Sequence, residues 1–336
     1  MKKFLLLGLA FMFLASCSEE KNIQMFKTSG NGLGTTYNIS YFSTKEINLN
    51  PQIDSIFNVI NSSLSTYIED SDISRLNRGE DVQVDKHFIK VFNASVSIFE
   101  ATNGYFDPSI GPLVNAYGFG PTKPLDTLDA ALLDSLLLKV GLGKFKLANN
   151  TISTNVQGFY LDFNAIAKGY AVDVVADHLA NLGLTNYFVE LGGEIVAKGI
   201  NLENNGPWRF GIEKPVENNN IRDLTHAISL TNKALATSGN YRKFRVDAES
   251  GERYVHTINP KTGKAERSNV LSASVVAEDC MTADAYATAF MAMGYENSLK
   301  VIGENKLSVL LIYVDENNDI QYYNTEDLNS QITEIE

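Results

Sequence analysis

Asp284 and Thr288 stand four residues apart in a run of small, helix-favouring residues, Ala283 to Met293, closed by Gly294. That spacing puts a carboxylate and a hydroxyl on one helix face. Hard oxygen ligands beside alanines can hold a hard cation and leave room for a phosphate. The same spacing fits an ordinary packed helix whose Asp284 caps the first turn. A second stretch, Tyr160 to Asp173, reads as an apolar strand running into a helix through small residues, with Lys168 in the first turn. Free N–H groups and a lysine at a helix start suit an anion. The alternative is a tight strand-to-helix turn with a solvated Lys168, and the chain holds no phosphate-loop or dinucleotide glycine pattern. Together the two stretches point to a metal and a phosphate.

Three further positions carry reactive groups. His256 precedes the Pro- and Gly-bearing turn Thr257 to Gly263, where a structural histidine is commoner than a catalytic one. Cys280 sits among small and apolar residues beside Asp284 and reads as a buried small hydrophobe, with a catalytic thiol as the minority reading. His178, late in a helix, reads as a satisfied histidine rather than a ligand. The acidic loop Tyr67 to Asn77 resembles a calcium loop, but Arg75 stands where the sharp turn needs glycine, so that reading is rejected. Gly104 to Leu113 is turn-dense, and its aromatics Tyr105 and Phe106 either stack on a flat ligand or plug the core.

These residues need a large frame, and 336 residues supply one large domain or two intimately packed ones. Residues 1–16 are separate: Lys2 and Lys3, an apolar run from Phe4 to Leu14, then Leu14-Ala15-Ser16-Cys17. A basic head, a short apolar core and small residues mark a secretory signal too short to span a membrane. Ending on Cys17, it is similar to a bacterial lipobox. By that similarity Cys17 is lipidated on the periplasmic side of a membrane, and residues 17–27 form a polar tether. Removing the signal takes two lysines from a chain already at net charge −12, which argues against nucleic acid as a partner. Cys280 is then the one thiol left, so no internal disulfide forms.

Between residues 28 and 330 the pattern reads as a single domain. A strand follows Gly32-Leu33-Gly34. Amphipathic helices are expected from Pro51 to Tyr67, with Asn50 as cap, and from Asp85 to Asn103. Another covers Leu128 to Val140, two strands flank Asn149-Asn150 within 144–162, and a helix runs from about Ala165 to Leu182. Tyr187 to Gly199 gives two strand runs broken by Gly192-Gly193, which signals a bulge or a close backbone approach. Strands follow at Trp208–Glu213, His226–Leu230 and Ala234–Ser238, a hairpin at Tyr241–Ile258, and strands at Val270–Ala277, Leu307–Val314 and Asp319–Tyr323. Without a regular beta-alpha period, this is α+β with largely antiparallel strands and packed helices.

Eight motifs in one order, Gly34-Thr35-Thr36-Tyr37, the loop 67–77, Gly104 to Pro108, Asp162 to Asp173, Gly192-Gly193-Glu194, Thr237 to Tyr241, His256 to Gly263 and Ala283 to Thr288, resemble the ApbE family of bacterial FAD:protein FMN transferases, many of them periplasmic lipoproteins. The resemblance covers about residues 28 to 325. It implies a T-fold-like architecture and an Mg²⁺-dependent enzyme. FAD, its substrate, is split, the FMN half joins a threonine or serine of a target protein through a phosphoester, and AMP leaves. It also implies targets bearing a flavinylation motif, such as membrane subunits of sodium-pumping quinone reductase or related ferredoxin-oxidising complexes. Carried over, the metal is held by Asp284 and Thr288 with backbone oxygens of Ala165 and Ala287. FAD contacts fall at Leu33, Tyr67, Tyr105, Phe106, Asp107, Asp162, Lys168 and Ile258, and His256 and Asp284 are the catalytic pair. Asn164 stands where the family has Gly or Ser, and Asn259 where Asp is more usual. A periplasmic FAD pyrophosphatase yielding FMN and AMP shares every motif, and a flavin-binding lipoprotein without chemistry is the third reading.

Overall fold

The computed structural model describes residues 22–125, 128–215, 223–239, 244–246, 253–255, 257–265 and 268–335. Its first two strands, β1 (Gln24–Gly32) and β2 (Thr35–Ser43), pair antiparallel around Leu33 and Gly34, both at positive φ (49° and 77°). Two such residues give the turn whose twist matches right-twisted strands. β3 (Phe145–Ala148) and β4 (Thr151–Thr154) repeat the device with Asn149 and Asn150. β5 (Tyr187–Leu191) and β6 (Glu194–Lys198) repeat it with Gly192 and Gly193. The glycine pair is therefore a hairpin turn and not a bulge.

The remaining strands are β7 (Trp208–Glu213), β8 (Leu224–Leu230), β9 (Lys233–Gly239), β10 (Phe244–Val246), β11 (Arg253–Val255), β12 (Val270–Ala277), β13 (Ser308–Val314), β14 (Ile320–Asn324) and β15 (Ile332–Glu334). Eight form one sheet in the order β1-β2-β5-β6-β9-β12-β13-β14, and β15-β8-β7 form a second. Every named pairing is antiparallel, as the missing beta-alpha period implied.

Two-residue periodicity splits the large sheet's side chains between two cores. Tyr37, Ile39, Tyr41, Val189, Ala273, Val275, Val309 and Leu311 point to the main core. Their neighbours Phe42, Ile195, Leu235, Val276, Leu310 and Ile312 meet Trp208, Ile228 and Leu230 of the three-stranded sheet. The main core is closed by helices. α1 (Asn50–Leu64) carries Pro51 in its first turn and buries Ile53, Phe57, Ile60 and Leu64 at helical spacing. Asn50 is its first residue rather than its cap, and its side chain accepts from Thr28 of β1. After the short α2 (Asp72–Asn77), α3 (Lys86–Ala101) is capped by Asp85, whose Oδ1 accepts from the His87 and Phe88 N–H groups at 2.9 and 2.8 Å. α4 (Gly111–Ala116) and α5 (Ala130–Leu137) build a satellite core around Leu113, Leu136 and Ile258. α6 (Ala167–Asn181) and α7 (Cys280–Met293) pack together, with α7 also lying on β9 and β12, and α8 (Tyr295–Asn305) packs on α7 and β13.

Four further expectations need correction. β1 begins at Gln24, so residues 24–27 belong to the sheet and not to the tether. β15 pairs with β8 beyond residue 330, so the fold runs past the expected boundary. Residues 155–166 form no strand: the Leu161 N–H and C=O are satisfied instead by the Asn77 side chain, at 2.7 and 2.8 Å. α6 starts at Ala167, two residues later than expected.

Candidate active site

α6 and α7 meet at Gly169, and their approach follows from the absence of a side chain there. A Cβ at Gly169 would lie 2.3 Å from the Cys280 carbonyl oxygen and 2.8 Å from the Asp284 Cβ. That closeness lets the Gly169 N–H donate to Asp284 Oδ2 at 3.0 Å. Asp284 is only 3% exposed. Burial pushes its carboxyl above the usual range, against the pull of the Lys168 ammonium and the Gly169 N–H. Asp284 does not cap α7. Asp279 does, accepting from the Thr282 N–H at 2.8 Å.

Asp173, from the middle of α6, binds the same helix end. Its Oδ1 accepts from the Cys280 N–H at 2.8 Å and its Oδ2 from the Met281 N–H at 2.9 Å. Burial pushes it up to about 7, while those two donors pull the other way. Thr288 lies one turn beyond Asp284 with its hydroxyl 3.4 Å from that of Ser238 on β9, and Ala287 beside it is fully buried. Cys280 is buried and its thiol is pushed well up by burial and the surrounding carboxylates. A thiol held protonated is no nucleophile.

Lys168 stands in the first turn of α6, as expected, with 35% of its side chain exposed. It is not solvated alone: its ammonium pairs with Glu194, the first residue of β6. Burial works against the charged ammonium, but Glu194 and Asp284 hold its pKa above the ordinary lysine value. Burial and the Asp284 charge push Glu194 up to about 7, with Lys168 opposing. Glu194 was given no role from the sequence. The available signal was a carboxylate directly after a glycine pair, opening a strand that continues through Ile195, Val196 and Ala197.

A second group of expected residues gathers on loops. The Asp162 N–H donates to the Pro108 carbonyl at 2.8 Å, so the Tyr105–Pro108 and Tyr160–Asp162 segments are joined. Asp162 sits close enough to Tyr67 and Tyr160 to reinforce the upward shift that burial gives both phenols. Tyr67 is 61% exposed and its hydroxyl donates to the Phe119 carbonyl at 3.3 Å. Lys261 places its ammonium 5.7 Å from the centre of the Tyr105 ring.

The two acids here hold loop backbone in shape. Asp107 caps the turn Pro108–Ile110, accepting from the Ser109 N–H and hydroxyl at 2.9 and 2.6 Å and from the Leu142 N–H at 3.3 Å. Asp162 accepts from the Asn164 N–H at 2.7 Å and from its side-chain amide at 3.1 Å. Phe106 and Ile258 are core side chains. Leu33 lies elsewhere, in the β1–β2 turn. That turn abuts the β5–β6 turn, where a Cβ at Gly192 would come within 2.8 Å of Thr35. His256 and Cys17 fall outside the described residues.

The donor set at the α6–α7 junction fits a hard cation. Asp284 and Thr288, one turn apart on α7, offer a carboxylate and a hydroxyl; Ala165, in the turn before α6, and Ala287 would add only carbonyl oxygens. Among the described residues there is no cluster of three or more His, Cys, Asp or Glu suited to a metal. Mg²⁺ takes few carboxylates and keeps waters or phosphates for its other positions. No helix among the described residues is long and apolar enough to cross a membrane.

Comparison with known proteins bears on this arrangement. The FAD:protein FMN transferase of Vibrio cholerae is 37% identical over 93% of this chain and 94% of its own length. That of Haemophilus influenzae is 36% identical over 90% of both. The solved structure of the flavin transferase ApbE from V. cholerae superposes with a TM-score of 0.82, covering 92% of this chain and all of its own, at 35% identity. The profile described as the ApbE family matches residues 33–311, from the β1–β2 turn to β13. By sequence and by fold, this chain belongs to the ApbE family.

Proposed function

We propose that this protein is a FAD:protein FMN transferase, the activity its relatives are named for, and that it works with Mg²⁺ as follows. The hydroxyl oxygen of a threonine or serine on a target protein attacks the FMN phosphorus of FAD. The bond from that phosphorus to the bridging oxygen breaks, AMP leaves with the oxygen, and FMN stays on the target through a phosphoester. The observation that supports this best is the junction of α6 and α7, where a buried carboxylate, a hydroxyl and a paired ammonium stand together within the family's matched region.

Phosphoryl transfer asks a protein for positioning and charge neutralisation more than for covalent help. Asp284 and Thr288, with the Ala165 and Ala287 backbone oxygens, would hold Mg²⁺, which when bound neutralises and orients the pyrophosphate. Lys168 at the start of α6 offsets further negative charge. His256 takes the proton of the incoming hydroxyl, a role typically worth ~10²–10⁴ in rate. The loop group around Tyr67, Tyr105 and Asp162 lines the flavin side. Cys17 carries the lipid that tethers the domain to the periplasmic face of a membrane, within reach of membrane-bound targets such as subunits of sodium-pumping quinone reductase.

The test mixes the chain starting after Cys17 with FAD, Mg²⁺ and a candidate acceptor domain, following AMP release and acceptor mass together. An acceptor gaining the mass of FMN in step with AMP, both stopped by chelator, is the expected result. AMP released equally without acceptor and no mass gained would make the enzyme a pyrophosphatase. His256→Ala transferring FMN at the unaltered rate would remove the histidine from the scheme.

A further inference from the structure

Glu194 is a buried carboxylate, 3% exposed, whose two oxygens have different surroundings. Oε1 is paired with the Lys168 ammonium. Oε2 is buried and has no hydrogen-bond partner among the described residues. The backbone beneath it is fixed. The Gly192 N–H donates to the Thr36 carbonyl at 3.0 Å and the Gly193 N–H to Glu190 Oε1 at 2.7 Å, so the β5–β6 turn is pinned on both sides.

Buried polar atoms in folded proteins almost always have partners, because a stranded one keeps its desolvation cost with nothing in return. Here the stranded atom belongs to a charge, and the Asp284 carboxylate adds a second negative charge against the single positive charge of Lys168. The junction thus lacks one hydrogen-bond donor among the described residues and one positive charge to match its second carboxyl. A hydrated divalent cation supplies both, since a small hard cation retains waters and those waters donate.

We infer that Glu194 is a positioning residue of the metal site: Oε1 fixes the Lys168 ammonium, and Oε2 accepts a hydrogen bond from water carried by the Mg²⁺ that Asp284 and Thr288 hold. This rests on the metal reading given above. Partners one step out from a metal orient what binds it, and their loss weakens affinity by roughly 10–100-fold.

The experiment measures Mg²⁺ affinity without FAD, by isothermal titration and by the rise in melting temperature with added Mg²⁺, on the full chain in detergent. Glu194→Gln keeps the side chain's shape and should raise the Mg²⁺ dissociation constant roughly 10–100-fold. The double variant Lys168→Met/Glu194→Gln removes both charges, so it strands no ammonium should the single variant fold poorly, and it should show the same loss. Asp284→Asn is the reference and should abolish binding. If Asp284→Asn abolishes binding while both Glu194 variants keep the unaltered dissociation constant, the inference falls alone and Glu194 is a structural ion-pair partner. If the unaltered chain takes up no Mg²⁺, or Asp284→Asn binds it as well as before, the metal reading falls and this inference with it.

Discussion

The helix junction and the loop cluster both carry buried acids, but they use them differently. At the loops, Asp107 and Asp162 accept hydrogen bonds from their own segments and from Leu142, and those bonds set the loop shapes. At the junction, Asp284 accepts one N–H from a neighbouring helix, and Glu194 has one oxygen on Lys168 and the other unpartnered among the described residues. An acid whose acceptor capacity is taken up by its own loop is architectural. Asp284 and Glu194 reach across elements and keep acceptor capacity among the described residues, which suits a group that arrives later. Under the proposed function, the difference would separate the acids at the pyrophosphate end from those that shape the loops lining the flavin end.

The largest effect is expected at the junction. Asp284→Ala should slow FMN transfer on the order of 10²–10³-fold or more, measured as acceptor mass gained per minute at saturating FAD. A rate within a few-fold of the unaltered chain would erase the contrast. Gly169→Ala comes next. Its methyl would meet the Cys280 carbonyl and the Asp284 Cβ, so the helices must part, at about 1–3 kcal/mol of stability, with a fall in transfer that tracks the lower melting temperature. An unchanged melting temperature would show that the junction has slack.

At the loops the same kind of substitution should act on folding alone. Asp107→Asn disturbs hydrogen bonds to Ser109 and Leu142 and should cost about 1–3 kcal/mol with little change in the KM for FAD. A large rise in KM at constant melting temperature would make Asp107 a ligand contact after all. The last effect bears on stability rather than on transfer and concerns pH. Asp173 is held at about 7 by burial, with Asp279 and Asp177 adding to it, so the folded chain keeps a proton that the unfolded chain gives up near its ordinary value of 3.8. Stability from this group is therefore present below the unfolded value, falls as pH rises from about 4 to about 7, and is level above. Asp173→Asn should flatten that slope in melting temperature against pH, and an unaltered slope would assign it to other groups.

Much of this contrast was written locally. The Asp284/Thr288 spacing, Lys168 in a first turn, the helical faces of α1 and α3 and the Asn149-Asn150 turn all follow from neighbours along the chain. What escaped depends on partners far apart in sequence. β1 is an edge strand with no fully buried residue, so it shows little alternation until β2 is beside it. Tyr160 to Phe163 has a strand's composition, but the Asn77 amide takes the place a strand would fill. Glu194 and Asp173 acquire meaning only when β6 and α7 come up against α6. Asp107 and Asp162 sat in the right segments, and only their hydrogen bonds show that they serve the loops.

The most direct test of the contrast is FAD affinity with and without Mg²⁺ for Asp284→Asn beside Asp107→Asn, each checked for folding by its melting temperature. Mg²⁺ should tighten FAD binding in the unaltered chain and in Asp107→Asn, and Asp284→Asn should lose this tightening. Tightening that survives in Asp284→Asn and vanishes in Asp107→Asn would put the metal-dependent end of the site on the loops and contradict its placement at the helix junction.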